Sequence, residues 1–275
     1  MRILYLGDVV GKTGRIAIQK HLPKMIEDMA LDFVIVNGEN SAHGFGINRA
    51  IADDILNAGA DVITLGDHAF DNAEVLNWID DEPRIVRPDN IGEGSRGCGV
   101  IMVESKKGHR VLVSQILGTV FMKNVYDSPW DSLDKNIQGG TPMDNGLDAI
   151  IVDIHAEATS EKQGVGHYMD GRASLVVGTH THIPTSDTRI LEHGTGYQTD
   201  AGMCGCYDSM IGMEKHGALN KLLGVGERKR FSPATGEATL SGVLVETDEN
   251  TGLAKSIHPV KVGGFLQQAY PTKQS

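Results

Sequence analysis

The sequence predicts an α/β protein built around a buried, largely parallel sheet. Three observations carry this: short continuous apolar runs, helix-like stretches between them, and a glycine with a polar residue closing one run after another. Strands that are apolar throughout, rather than at alternate positions, are what a sheet covered on both faces requires.

Ile3-Leu4-Tyr5-Leu6 is the first run, and Gly7-Asp8 ends it. Phe33-Val34-Ile35-Val36 ends in Asn37-Gly38-Glu39-Asn40, and Val62-Ile63-Thr64-Leu65 ends in Gly66-Asp67-His68. Helices are expected over 15–30, broken or kinked by Pro23, and over 49–58. Further strands are expected at 99–103, 110–116, 149–154 and 174–177. The last third differs in texture, with strands at 188–191, 239–246 and 256–262 and few helices between them. A sandwich of sheets with outer helices fits that order. The stretch 118–146 carries Pro129, Gly139, Gly140 and Pro142 with little periodicity. A connection that long is either functional or disordered. No repeat, low-complexity tract or linker interrupts the chain, so 1–275 reads as one domain.

Composition narrows the class. The 36 acidic against 25 basic residues leave a net charge of −11. That argues against a long nucleic-acid partner, which needs clustered Lys and Arg, but not against a small phosphate ester bound through metal ions. No apolar run approaches the ~18 residues that span a membrane. A strand starts at Arg2 with no charged lead-in and no cleavage site, so no signal peptide is expected. Three cysteines fit a reducing compartment. The expectation is a soluble cytoplasmic enzyme.

Two phosphate-loop look-alikes are set aside. Between Gly7 and Gly11-Lys12-Thr13 stand three residues, where a P-loop needs four. Gly92-Glu93-Gly94-Ser95-Arg96-Gly97 matches G-x-G-x-x-G, but a strand follows where a dinucleotide fold needs a helix.

The informative residues stand at or close to strand ends: Asp8, Glu39, Asn40, Asp67, His68, His155, His180 and His182. Carboxyl ends of strands are where ligands bind in open α/β sheets, so these residues can converge. Taken singly each has an ordinary explanation. Asp8 suits a turn, Asp67 could cap a helix beginning near Asp71, and His155 could be a hydrogen-bonded core histidine. Their joint occurrence in order carries the inference. Carboxylate oxygen, amide oxygen and imidazole nitrogen together suit transition metals. Eight groups are too many for one ion and about right for two sharing a bridge. Two-metal sites, with ions about 3.5–4 Å apart, polarise a phosphoryl group and deliver a metal-bound hydroxide for in-line attack. In His180-Thr181-His182, alternate residues of extended chain would point to one side.

This series, Gly7-Asp8, Gly38-Glu39-Asn40, Gly66-Asp67-His68, His155 and Gly178-Thr179-His180-Thr181-His182, resembles the calcineurin-like metallophosphoesterases. It is most similar to their YmdB-like branch, bacterial phosphodiesterases associated with 2′,3′-cyclic nucleotides. The resemblance runs nearly end to end and includes Gly202-Met203 and Tyr207-Asp208-Ser209. It implies a four-layer α/β/β/α metallophosphoesterase sandwich with two central mixed sheets. It would make Asp8, Asn40 and His182 ligands of one metal, Glu39 the bridge, and Asp67, His155 and His180 ligands of the second. His68 would be the catalytic acid that protonates the departing ribose oxygen. Histidine suits that role near neutral pH, the more so beside a carboxylate. Two departures stand out. Position 10 is Val10 where the wider superfamily often has histidine, and Asn40 would supply the missing ligand. Asp67 stands where the branch commonly has asparagine, which lowers the charge of the site by one.

The reading is therefore a binuclear-metal phosphodiesterase acting on a small 2′,3′-cyclic nucleotide, with iron or manganese foremost and zinc next. Its alternatives are a metal-dependent phosphomonoesterase and a metal-binding regulatory protein. His43, in the loop Ser41-Ala42-His43-Gly44-Phe45-Gly46 close to Glu39, is a candidate substrate contact, while His167 stays open. Phe70 is read as packing in preference to stacking on a base. Cys204-Gly205-Cys206 is read as free thiols, because two thiols without a second pair do not make a structural zinc site. His21, His109, His193, His216 and His258 are left out of the site. Exposed apolar loops leave room for a homo-oligomer.

Overall fold

The structure, a computed structural model, describes residues 1–124, 126–225 and 231–272. In chain order its elements are β1 (Arg2–Leu6), β2 (Asp8–Val9), α1 (Gly11–Asp28), β3 (Phe33–Asn37), α2 (Arg49–Asn57), β4 (Val62–Thr64), β5 (Ile85–Val86), β6 (Val100–Glu104), β7 (Arg110–Leu117), α3 (Pro129–Asn136), β8 (Ala149–His155), α4 (Thr159–Tyr168), β9 (Leu175–Thr179), β10 (Arg189–Ile190), β11 (Gly196–Gln198), β12 (Met203–Cys204), α5 (Lys215–Leu223), β13 (Leu240–Thr247) and β14 (Ala254–Val262).

Period-two alternation sorts the first apolar run between two cores. Leu4 and Leu6 of β1 pack with Ile18, Leu22 and Met25 of α1 and with Ile51 and Ile55 of α2. Ile3 and Tyr5 face the other way, into a core shared with Val111, Val113, Ile151 and Val177 of a second sheet. The far face of that second sheet, with Ile150, Val152 and Val176, packs on Leu133 of α3 and Val165 of α4. Helix, sheet, sheet and helix therefore stack in four layers.

The first sheet runs β14-β13-β1-β3-β4-β5 and the second β10-β11-β9-β8-β7-β6, while β12 and β2 form a short separate ribbon. Strands β1, β3, β4 and β5 are parallel; β13 runs antiparallel to β1, and β14 antiparallel to β13. Strands β7, β8, β9 and β11 are parallel, with β6 and β10 antiparallel at the edges. Both sheets are thus mixed, and the parallel set expected from the sequence forms one side of the first, out to the β5 edge, and the middle of the second.

Three local expectations are corrected. Helix α1 starts at Gly11 and runs through Pro23 without a break. Pro23 and Gln19 both lie on the exposed face, so water can satisfy the Gln19 carbonyl that proline leaves unbonded, while Ile18, Leu22 and Met25 hold the buried face down. The stretch 118–146 is not featureless, for it contains α3, opened by Pro129 and capped by the Ser128 hydroxyl 3.2 Å from the Asp131 N–H. No α-helix begins near Asp71. A 3₁₀ turn spans Ala73–Asn77 and Asn72 caps it, which leaves Asp67 free of that task.

Candidate metal centre

Asp8 is fully buried on β2, held by the parallel pairing of β2 with β12. Glu39 and Asn40 follow β3, Asp67 and His68 follow β4 by a short step, and His155 is the last residue of β8. Glycine at position 66 is a packing requirement. A Cβ there would stand 1.9 Å from Glu39 Oε2 and 2.6 Å from His155 Cε1, so a side chain at this position would displace the groups it adjoins.

His180 and His182 do not lie in extended chain, contrary to the sequence expectation. Strand β9 stops at Thr179, and the two histidines have φ of 92° and 67°, in the left-handed region. The turn is clamped from behind. Buried Asp200 accepts hydrogen bonds from the Thr181 N–H at 3.2 Å and hydroxyl at 2.6 Å, and its charge is matched by buried Lys162 at 2.7 Å. With Thr181 turned back to Asp200, the flanking imidazoles are both directed at the cluster. Strain of this kind persists only where the surroundings over-determine it.

The side chains assemble into two groups with one shared member. Ligand-type atoms of Glu39, Asp67, His155 and His180 lie within 4.8 Å of one another, and so do those of Asp8, Glu39 and His182. His155 Nε2 is 3.0 Å from Asp67 Oδ1, 3.2 Å from Glu39 Oε1 and 3.1 Å from His180 Nδ1. The Asn40 carboxamide adjoins the second group, with Nδ2 2.9 Å from Glu39 Oε1 and 3.2 Å from His182 Nε2. All seven residues read as metal ligands from the sequence are therefore neighbours in space.

The arrangement asks for cations. Asp8 Oδ1 is buried with no hydrogen-bond partner among the described residues, and two imidazole nitrogens face each other at 3.1 Å. Burial, and then the charge of Glu39, push the Asp8 carboxyl well above the usual carboxylate range. Burial works to lower His155, but Glu39 and Asp67 outweigh it and raise the imidazole well above its ordinary value. Unpartnered carboxylate oxygen in a buried site is costly unless a positive charge answers it. Carboxylate and imidazole together suit a transition-metal dication, so the residues fit a metal centre.

Behind the cluster, a second set of contacts selects imidazole tautomers. The Thr179 hydroxyl donates to Asp153 Oδ1 at 2.7 Å, so its oxygen is left to accept from His155 Nδ1 at 2.8 Å. Nδ1 then keeps its proton, and Nε2, turned to Asp67 and Glu39, is the nitrogen that would give up its proton to a metal ion. Asp153 is itself held by Gln115 Nε2 at 2.6 Å and by the Tyr5 hydroxyl. His182 follows the same rule, with Nδ1 donating to the Ile211 carbonyl at 2.7 Å and Nε2 left towards Asn40. His180 presents Nδ1 to the cluster, while its Nε2 is 3.4 Å from Glu157. Such outer contacts orient metal ligands and tune their basicity.

His68 belongs to neither group. Its Nδ1 is 2.8 Å from Asp71 Oδ2, and the Phe45 ring meets it edge-on at 5.2 Å. Burial works to lower its pKa, but Glu39, Asp67 and Asp71 prevail and raise it. It borders a cleft of about 380 Å³ over the cluster, together with Asn40, His180 and His182. His43 is exposed, and the cleft lining passes through its neighbours Gly44 and Phe45 instead. Phe70 packs against the core between sheet and helix. Cys204 and Cys206 are buried free thiols, the former pushed up to about 12 by burial. Sequence reading passed over Thr179, Asp153, Phe45 and Glu157. Asp153 had left a signal, a carboxylate inside the apolar run Ile150-Ile151-Val152-Asp153-Ile154.

Comparison with known proteins agrees with this architecture. A model of the YmdB-like protein family matches residues 4–260. A 2′,3′-cyclic-nucleotide 2′-phosphodiesterase of Bacillus subtilis is 42% identical over 265 residues, covering 95% of this chain and 97% of that protein. The crystal structure of a novel phosphatase from Mycoplasma pneumoniae superposes with a TM-score of 0.86 at 32% identity, covering 96% of this chain and 93% of its own. At the level of fold alone, the 5′-nucleotidase of Candida albicans aligns with a TM-score of 0.50 and 12% identity, over 94% of this chain and 50% of that longer one. Among the described residues, no helix is long and apolar enough to cross a membrane.

Proposed function

The chain belongs to the YmdB-like protein family, and from that premise we propose that it is a phosphodiesterase that opens small 2′,3′-cyclic nucleotides at a pair of metal ions. The observation that carries this reading is the position of Glu39, common to both ligand groups. Asp8, Asn40 and His182 would hold one ion, Asp67, His155 and His180 the other, and Glu39 both. Iron or manganese suits this donor set best, and zinc next. When bound, the ions supply Lewis-acid polarisation of the phosphoryl oxygens and lower the pKa of water.

The protein's own part is orientation and proton supply. The Thr179–Asp153 pair keeps His155 in one tautomer, and the Ile211 carbonyl does the same for His182. With Nδ1 of His68 engaged by Asp71, Nε2 is the nitrogen left to give a proton to the departing ribose oxygen. Carboxylates around His68 keep that proton available near neutral pH. Glu157, at the cleft rim, holds His180 from outside. We further take 1–275 as one domain, the three free thiols as suited to the cytoplasm, and self-assembly into a homo-oligomer as compatible with its exposed apolar side chains.

A second reading, a phosphomonoesterase with the same metals, draws support from the solved Mycoplasma pneumoniae relative, which is described as a phosphatase. The test is hydrolysis of 2′,3′-cyclic AMP by chelator-stripped protein before and after Mn²⁺ is added. The expected result is turnover only with metal. Metal-loaded protein that cleaves monoesters and leaves the cyclic diester intact would replace the first reading by the second. Loaded protein inert to both would favour a regulatory role.

A further inference from the structure

The cleft over the cluster has a lining of two characters. Asn40, His68, His180 and His182 are polar, whereas Phe45, Ile211, Met213 and Phe231 are apolar. The apolar members form one patch although they come from three segments. A Cβ on Gly44 would meet Met213 Cε at 3.0 Å, and Met213 bridges to Pro233, two residues beyond Phe231. Lys221 Nζ lies over the Phe231 ring, 4.5 Å from its centroid.

Ile211 is the least expected member. It is β-branched yet has φ of 47°, and its side chain is 55% exposed. A β-branched residue with positive φ is an outlier, and its apolar side chain in water adds a second cost. The backbone has a reason to be there, since the Ile211 carbonyl orients His182. The exposed side chain at the cleft has none from the phosphate chemistry, which asks only for charge and hydrogen bonds.

We propose that this patch is the subsite for the nucleobase of the substrate, and the proposal rests on the phosphodiesterase reading above. A group that sits on it must be joined to the phosphate over the cluster, be flat or apolar, and fit a cleft at the small end of ligand sites. Among the described residues, no lysine or arginine lines the cleft. The apolar members offer ring faces and aliphatic contacts rather than hydrogen-bonding edges. They therefore read the area of a base and not its identity, and adenine and guanine are accepted alike ahead of cytosine and uracil.

The experiment compares kcat/KM of metal-loaded protein for 2′,3′-cyclic AMP and for methyl riboside 2′,3′-cyclic phosphate, which has no base. The wild type is expected to favour the nucleotide by about tenfold or more, as base stacking on side chains commonly provides. Met213→Ser and, separately, Phe231→Ala are expected to lower that ratio by about tenfold. Equal wild-type values for the two diesters, or a ratio unmoved in both variants, would overturn the subsite. If loaded protein hydrolyses neither diester, the phosphodiesterase reading falls on its own, and equilibrium dialysis decides the subsite. Tighter binding of adenosine 3′-monophosphate than of ribose 3-phosphate, lost in the variants, would support it, and equal binding of the two would overturn it.

Discussion

The Thr179 hydroxyl lies 2.8 Å from His155 Nδ1 and donates to Asp153 Oδ1 at 2.7 Å, so a buried carboxylate governs an imidazole through one oxygen atom. This contact decides which nitrogen of His155 meets the cluster. Removing the hydroxyl in Thr179→Val leaves the Nδ1 proton without an acceptor and Asp153 short of one donor. Metal affinity is expected to fall about 10–100-fold, the usual cost of losing an outer-sphere partner. Competition against a calibrated chelator measures it, and Thr179→Ser is expected to retain near-wild-type affinity. An unchanged affinity in Thr179→Val would mean that the tautomer is set elsewhere.

Glu39 and Asp67 differ in how many groups they join. Glu39 is common to both, while Asp67 belongs to one. Glu39→Ala is therefore expected to lose both metal equivalents, read by elemental analysis of the purified variant. Asp67→Asn keeps an oxygen donor and removes one negative charge, so two equivalents are expected to remain, with an altered preference among metals. Two full equivalents in Glu39→Ala would refute the shared role, and complete loss in Asp67→Asn would refute the division between the groups.

How much of this was legible in the sequence follows from the range of each interaction. A glycine and a polar residue closing an apolar run is a local signal, and it marked Asp8, Glu39, Asp67 and His68 because the ends of parallel strands share one side of a sheet. The four-layer order could not be read that way. Whether Tyr5 and Ile35 face helices or a second sheet depends on Val113 and Ile151, far along the chain. The His180–His182 turn was misread for a similar reason. Extended chain is the local preference, and the clamp that overrides it, Asp200 with Lys162, closes only in three dimensions. Pro23 did not break the helix because Gln19, whose carbonyl it leaves unbonded, lies on the same exposed face, where water can replace the lost donor.

His68 offers a separation of chemistry from metal binding. It stands outside both ligand groups, with its Nδ1 on Asp71 and its ring against Phe45. His68→Ala is expected to keep two metal equivalents and lose about 10²–10⁴-fold in kcat for an ester with a poor leaving group. A substrate with a good leaving group, such as a p-nitrophenyl ester, needs less help from an acid, so its loss is expected to be smaller. Equal losses on both substrates would show that His68 acts by something other than proton transfer.

Away from the centre, Asp170 gives the fold a dependence on acid. Its side chain is 6% exposed and accepts from the N–H groups of His193 at 2.9 Å and Thr195 at 3.2 Å, which ties the end of α4 to the approach to β11. Burial works to raise its carboxyl, but these N–H groups and the His193 ring prevail and hold it below the usual range. The folded protein therefore binds this proton less readily than the unfolded chain does. The resulting stability is fully present above the ordinary carboxylate value, about pH 4, and drains away as the pH falls through the lowered one. Asp170→Asn presents an amide where two N–H groups need oxygen, and is expected to cost about 1–3 kcal/mol at pH 7. Urea denaturation of both proteins tests the sign. The gap between them is expected to narrow as the pH is lowered below about 4, because the wild type then loses the charge that the variant never had. A gap that stays constant down to the acid transition would show that hydrogen-bond geometry at Asp170, and not its ionisation, supports this corner of the fold.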